Sequence, residues 1–264
     1  MPVTPSPVSR SAIVTRLRSA GCVFAEDEAE LLISAATTPA ELTAMVDRRV
    51  SGLPLEQVVG WADFCGLRIA VDPGVFVPRR RTEFLVRQAI ALAPPRPVIV
   101  DLCCGSGAVG AALAAALDPA ELHAADIDPA AVACARRNLE PVGAHVYSGD
   151  LFEPLPAALH GRVDILVANE PYVPTREVGL LPAEARLHEP RVALDGGGDG
   201  LDVLRRVAAQ APLWLAPGGS LLVEISERQE LQGRDTARRA GLVPRVARSA
   251  ELAVTVLIAS MDTR

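Results

Sequence analysis

From residue 98 onward, short apolar runs alternate with stretches whose apolar residues recur at helical spacing, the pattern of a parallel sheet covered by helices on both faces. The runs predict seven strands, at 98–102, 122–126, 144–148, 163–168, 219–226, 243–248 and 253–259. Helices are predicted near 107–117, 129–139, 200–215 and 228–240. The last two strands have no helix between them, so they form an antiparallel hairpin at one edge of the sheet.

Upstream of residue 98 the periodicity is different. Residues 10–52 read as short helices, with the clearest start at Thr38-Pro39-Ala40-Glu41. There Thr38 caps, Pro39 suits the first helical position and Glu41 reaches back to close a capping box. Gly52 ends that helix. The stretch W-A-D-F-C-G-L-R-I-A-V, from Trp61 to Val71, reads as two short strands turning near Gly66. After Phe76 the string F-V-P-R-R-R-T-E leads into a helix of about three turns with Thr82 as its cap. The expected division is a helical domain over 1–58 acting as a lid, a β-hairpin linker over 59–81 and the sheet domain over 82–264.

Composition narrows the function. Half of the 264 residues are apolar, enough for a sizeable core. A net charge of -6 and a pI near 5.3 argue against a broad nucleic-acid-binding face, which needs clustered cations. No lysine occurs, so all 26 basic residues are arginines, and Schiff-base catalysis and a lysine phosphate clamp are excluded. The five cysteines form no Cys-x-x-Cys pair and have no histidine at zinc-ligand spacing, so no metal site is expected and they read as reduced thiols of a cytoplasmic protein. Cys103 and Cys104 lie in a glycine loop and read as small filler rather than nucleophiles. The first ten residues carry no apolar stretch of signal-peptide length. The longest uncharged run, Val207 to Val223, is broken by Pro212, Pro217, Gly218 and Gly219 and does not read as a membrane span.

The stretch V-I-V-D-L-C-C-G-S-G-A-V-G places Gly105, Gly107 and Gly110 between a strand and a helix, with Asp126 ending the next strand. Taken alone, this also fits a dinucleotide fingerprint. The discriminating residue is Asp101, at the end of its strand. A carboxylate there repels the pyrophosphate of NAD but attracts the ammonium of S-adenosylmethionine. Asp126 is placed to accept from ribose hydroxyls. Asp150, in S-G-D-L-F after the third strand, is placed to meet the exocyclic amine of adenine or, more simply, to cap a turn.

After the fourth strand comes Asn169-Glu170-Pro171-Tyr172. An amide nitrogen is a poor nucleophile because its lone pair is delocalised into the carbonyl. A site that methylates it should hold both N–H hydrogens with acceptors, turning the lone pair toward the methyl group. The Asn169 side-chain oxygen and the backbone carbonyl of residue 170 are two such acceptors, and Tyr172 supplies an aromatic wall beside the planar group. Read without function, the same four residues are a turn at a strand end.

From Gly52 to Arg228 the chain resembles the protein-(glutamine-N5) methyltransferases that modify peptide chain release factors, the HemK/PrmC family. The resemblance is carried by F-V-P-R-R-R-T-E-F-L-V, D-L-C-C-G-S-G-A-V-G, A-A-D-I-D-P-A-A-V-A-C-A-R-R-N, V-D-I-L-V-A-N-E-P-Y, H-E-P-R-V-A-L with D-G-G-G-D-G-L following, and G-G-S-L-L-V-E-I. It implies the class I methyltransferase fold, a Rossmann-like α/β sheet with an antiparallel edge hairpin and a small N-terminal helical domain. It also implies S-adenosylmethionine as cofactor and methylation of the Gly-Gly-Gln glutamine of a release factor as the reaction. On the resemblance, Asp101, Gly105, Gly107, Asp126, Ile127, Asp150, Leu151 and Asn169 line the cofactor. Asn169, Glu170, Pro171 and Tyr172 carry the transfer. Asn169 and Tyr172 hold the target amide, and Glu189 and Pro190 belong to a loop that covers it or are plain loop structure.

The chain departs from that family in two places. Its helical region before Trp61 is short, and Glu170 stands where the family has proline. Losing that proline loosens the turn at a cost of ~0.4–1 kcal/mol through the unfolded state, while Pro171 still keeps residue 170 extended. The expected placement of the Glu170 side chain is away from the pocket, toward an arginine, with amide chemistry intact. Two other readings make it part of a site for a small-molecule amine, or make the chain a binding module that holds the cofactor without transferring methyl.

Overall fold

A computed structural model describes residues 7–262. The first six residues of the expected N-terminal domain lie outside the described residues. Four helices open the described chain: α1 (Pro7–Ser19), α2 (Ala25–Ala35), α3 (Pro39–Val50) and α4 (Leu55–Val59). Helix α2 carries Glu26, Asp27 and Glu28 in its first turn, where the helix dipole favours negative charge. At α3, Thr38 Oγ1 accepts from the Glu41 N–H at 3.1 Å, as predicted. The Glu41 carboxylate, however, accepts from the backbone of Thr37 at 2.7 Å, one residue earlier than a closed capping box requires. These helices bury Leu17, Ala25, Ala29, Leu32 and Val46 in a cluster of their own.

The hairpin follows as β1 (Trp61–Phe64) and β2 (Leu67–Ala70), antiparallel and turning at Cys65-Gly66. Helix α5 (Glu83–Leu92) starts behind a short 3₁₀ turn at Arg80–Thr82. Thr82 does not cap it: its hydroxyl is buried and donates to Glu224 Oε2 at 2.7 Å instead. Thr82 is already helical, at φ −66° and ψ −14°, and so lacks the extended backbone that aims a capping side chain back at the first turn.

The rest is β3 (Val98–Leu102), α6 (Ala108–Ala116), β4 (Glu121–Asp126), α7 (Pro129–Leu139), β5 (His145–Ser148), β6 (Val163–Ala168), α8 (Ala183–His188), α9 (Asp202–Trp214), β7 (Leu215–Ile225), α10 (Glu230–Arg239), β8 (Val243–Ser249) and β9 (Val254–Ser260). All seven predicted strands form one sheet in the order β5-β4-β3-β6-β7-β9-β8. The pairs from β5 to β7 are parallel, and β9 runs antiparallel to both β7 and β8. Strand β7 starts at Leu215, four residues before its predicted start, because Leu215 pairs with Val163 and a register shift absorbs Pro217, Gly218 and Gly219.

Strand alternation sorts the core into two layers. Val100, Leu102, Leu166, Leu221 and Val223 face α9 and α10 through Leu204, Val207 and Ala237. Ile99, Ile165, Val167, Leu222 and Val256 face α5, α6 and α7 through Leu85, Leu113 and Leu139. The uncharged run from Val207 to Val223 is thus the end of α9 and the core of β7. No helix among the described residues is long and apolar enough to cross a membrane. Leu166 lies fully buried in the middle of the sheet. We expect Leu166→Ala to cost about 2–5 kcal/mol, read as a lower urea midpoint at unchanged slope.

Candidate active site

The carboxyl ends of β5, β4, β3 and β6 are neighbours, and the chain leaves β3 for β4 on one side while β6 lies on the other. That reversal opens a crevice at the strand ends, where ligands bind in such sheets. Asp101, Asp126 and Asn169 all stand there because each ends or directly follows one of these strands.

Between β3 and α6 the chain turns through Gly105 (φ +56°) and Gly107 (φ +79°). The Gly105 N–H donates to Asp126 Oδ2 at 2.8 Å and the Asp128 N–H to Asp126 Oδ1 at 2.9 Å, so the loop and the end of β4 hold each other. Burial raises the Asp126 carboxyl while these backbone bonds oppose the rise. Asp101 is 1% exposed. Its Oδ2 accepts from the Gly110 N–H at 2.9 Å, and a Cβ at 110 would crowd that oxygen at 3.1 Å. Oδ1 has no partner. Burial, reinforced by Asp126, pushes Asp101 up to about 7.

A narrow pocket runs past this loop. One part is lined by Asp101, Cys103, Gly105, Ser106 and Asn169, and the adjoining part by Asp126, Ile127, Asn169 and Pro190. Three predicted cofactor residues, Gly107, Asp150 and Leu151, are not among the residues that line it. Leu151 is buried in the apolar core with Phe152 and Leu155, and Asp150 gives one oxygen to Arg206 at 2.6 Å. Burial raises the thiols of Cys103 and Cys104 well above their ordinary range, which removes them as nucleophiles.

A second cavity, a cleft of about 350 Å³, opens on the other side of Asn169. Its walls include Glu56, Arg79, Arg81, Glu170, Pro171, Tyr172, Glu184 and Glu224. Asn169 lines both cavities, so it marks their junction. Among the described residues nothing donates to the carbonyl of residue 170, and the Asn169 side chain has no hydrogen-bond partner. The backbone downstream is pinned: Tyr172 O accepts from Gln229 Nε2 at 2.9 Å, and the Val173 N–H donates to Leu194 O at 3.2 Å. The D-G-G-G-D-G loop packs on this turn so tightly that a Cβ at Gly200 would meet Tyr172 O at 2.2 Å.

Glu224 in β7 organises the cleft wall. Its Oε1 accepts from Tyr172 Oη at 2.9 Å and Arg81 Nε at 2.8 Å, and its Oε2 takes the Thr82 hydroxyl. Arg81 also bonds Tyr172 Oη. Burial and the neighbouring Glu224 charge raise the Tyr172 phenol, so it stays protonated. Glu189 is buried and accepts twice from Arg79, at 2.6 and 2.7 Å, and once from the Val77 N–H. It ties the covering loop to the segment before α5 and does not line the cleft, while Pro190 lines the narrow pocket. Sequence reasoning missed Arg79, Arg81 and Glu224 as site residues. For Glu224 a signal existed, since an acid inside the apolar run L-L-V-E-I is rarely buried without partners.

Glu170 corrects an expectation. Among the described residues its carboxyl does not pair with an arginine: the residue is 2% exposed and neither oxygen has a hydrogen-bond partner. Burial pushes that carboxyl well above its ordinary value.

A parallel sheet with this strand order, a glycine loop after its first strand and acids at the next strand ends is the class I methyltransferase fold. A methyltransferase from Pyrococcus furiosus shares it, with a TM-score of 0.57 at 17% identity over 75% of this chain and 90% of that one. Residues 66–207 match the methyltransferase small domain family. A release factor glutamine methyltransferase of Geobacter sulfurreducens is 43% identical over 71% of this chain and 66% of its own length. Another, of Bradyrhizobium diazoefficiens, is 35% identical over 84% and 82%. A 4-amino-L-phenylalanine/4-methylamino-L-phenylalanine methyltransferase of Streptomyces pristinaespiralis is 37% identical over 80% and 74%. The chain belongs to the release factor glutamine methyltransferase family, and its match to the Geobacter protein spans just under two-thirds of that relative's length.

The pocket residues fit S-adenosylmethionine, because the orphaned Asp101 Oδ1 is the group an ammonium would satisfy. A carboxyl near 7 when folded and 3.8 otherwise takes up a proton on folding, so it subtracts stability as pH rises between those values. An ammonium beside it reverses this by favouring the carboxylate. We therefore expect cofactor affinity to rise with pH up to about 7, with proton release to the buffer below that, measured by calorimetry in two buffers of different ionisation enthalpy. Glu224→Gln should leave cofactor affinity within about twofold while costing about 10–100-fold in kcat/KM for methyl transfer, through a displaced Tyr172.

Proposed function

We propose that the chain transfers a methyl group from S-adenosylmethionine to the side-chain amide nitrogen of a glutamine in a protein, with a release-factor Gly-Gly-Gln loop as the favoured acceptor. The observation that carries this reading is the pair of unengaged acceptors, the Asn169 side-chain oxygen and the carbonyl of residue 170, at the junction of two cavities. Bound in the narrow pocket, the cofactor supplies an electrophilic methyl on a sulfonium.

On this reading the two acceptors take the two N–H hydrogens of the glutamine amide. That arrangement fixes the plane of the amide and turns its nitrogen lone pair toward the narrow pocket. The nitrogen would form its new bond to the methyl carbon with that lone pair as the carbon–sulfur bond breaks, the bonding pair returning to sulfur as a neutral thioether, and one N–H proton would pass to solvent. Because charge is lost from sulfur during transfer, a strong base is not needed, and exclusion of water matters more. Tyr172, held by Glu224 and Arg81, forms the wall beside the planar group. The names of the Geobacter and Bradyrhizobium relatives support the amide acceptor.

A second reading is a small-molecule amine. The Streptomyces pristinaespiralis relative, named for an aromatic amine, favours it, as does an unpartnered acid at position 170. The two are separated by offering both acceptors with labelled cofactor. Label should appear on the Gly-Gly-Gln glutamine, and Asn169→Ala should lower that transfer by about 100-fold or more. Label on the small amine alone would establish the second reading instead.

A further inference from the structure

The cleft holds more acid than its bases can match. Of the two arginines on its wall, Arg79 is committed to Glu189 and Arg81 to Glu224. Behind the wall, Arg49 is committed to Glu28 at 2.6 Å, and both partners are nearly buried. That leaves Glu56, from α4, and Glu184, from α8, both lining the cleft. Among the described residues Glu56 has no basic partner. Glu184 has only a distant share of Arg49, at 3.5 Å. Burial raises the Glu184 carboxyl, Arg49 and more weakly Arg79 oppose the rise, and the Glu56 charge adds to it, so the two acids are close enough to repel. On the same wall stands Glu170, buried, with both oxygens unpartnered.

Two like charges facing one cavity from different elements cost free energy that a bound cation would recover. An acceptor that brings a cation near its methylated nitrogen meets this requirement, and an acidic acceptor makes it worse. We propose that the cleft selects glutamine acceptors that carry an arginine or lysine within a few residues, held between Glu56 and Glu184. The proposal rests on the reading that this cleft takes the acceptor, and it adds the chemistry of the flanking residues.

The test uses three peptides that share a central Gly-Gly-Gln and differ only in flanking residues: arginine, alanine or glutamate. Their affinities for the full chain are measured by fluorescence anisotropy with the cofactor product bound, at low and high salt, and methyl transfer is followed separately. The arginine-flanked peptide should bind about tenfold more tightly than the glutamate-flanked one, and the difference should shrink as salt rises. Glu56→Gln with Glu184→Gln should reduce the difference to about twofold or less. Glu56→Arg with Glu184→Arg should invert the order, a result that misfolding alone cannot produce. Equal affinities in the unaltered chain, or a preference that survives the double substitution, would overturn the proposal. Failure of the amide reading has a separate signature: charge-ordered binding with no label on any of the peptides.

Discussion

One buried carboxylate holds the acceptor side of this molecule together. Glu224 sits in the middle of an apolar strand and is reached by three groups from two other segments: Arg81 and Thr82 before α5, and Tyr172 after β6. An acid in that position is tolerable only when every lone pair has a donor, and here the donors come from the residues that shape the cleft. The strand can therefore keep its charge only if the segment before α5 and the tetrapeptide are both in place. The same demand takes the Thr82 hydroxyl as one of those donors.

Three acids near the strand ends end up in three states, and environment alone separates them. Glu224 is paired, Asp101 is raised to about 7 with one oxygen free, and Glu170 is raised by burial and, among the described residues, has no hydrogen-bond partner. A paired acid fixes geometry, whereas an orphaned one is a binding feature in waiting. That contrast is why Asp101 speaks for a cationic cofactor. It is also why the replacement of proline by Glu170 bears on the acceptor more than on the reaction, since Asn169 and the carbonyl of residue 170 are kept.

Much of the fold was legible because strand alternation and glycine placement are local. All seven strands, the hairpin at Gly66 and the end of α3 at Gly52 follow from periodicity and turn chemistry. The early start of β7 was not legible, since it depends on a register shift against Val163. Of the candidate site residues, Asp101, Gly105, Asp126, Ile127, Asn169 and Pro190 line the narrow pocket. Leu151 goes to the core and Glu189 to a buried pair with Arg79, because those side chains found partners that no local pattern announces.

By itself, then, the sequence determined the layered sheet, the glycine loop with its following acids and the Asn-x-Pro-Tyr turn, each of which is set by residues close together in the chain. Only the tertiary structure decided where the long side chains go. Glu170 has no arginine, Arg81 belongs to Glu224, and Glu56 and Glu184 are left facing one opening from two separate helices. The physical reason is reach: charged side chains choose among partners brought near by folding, over separations of a hundred residues or more, such as the 143 between Arg81 and Glu224.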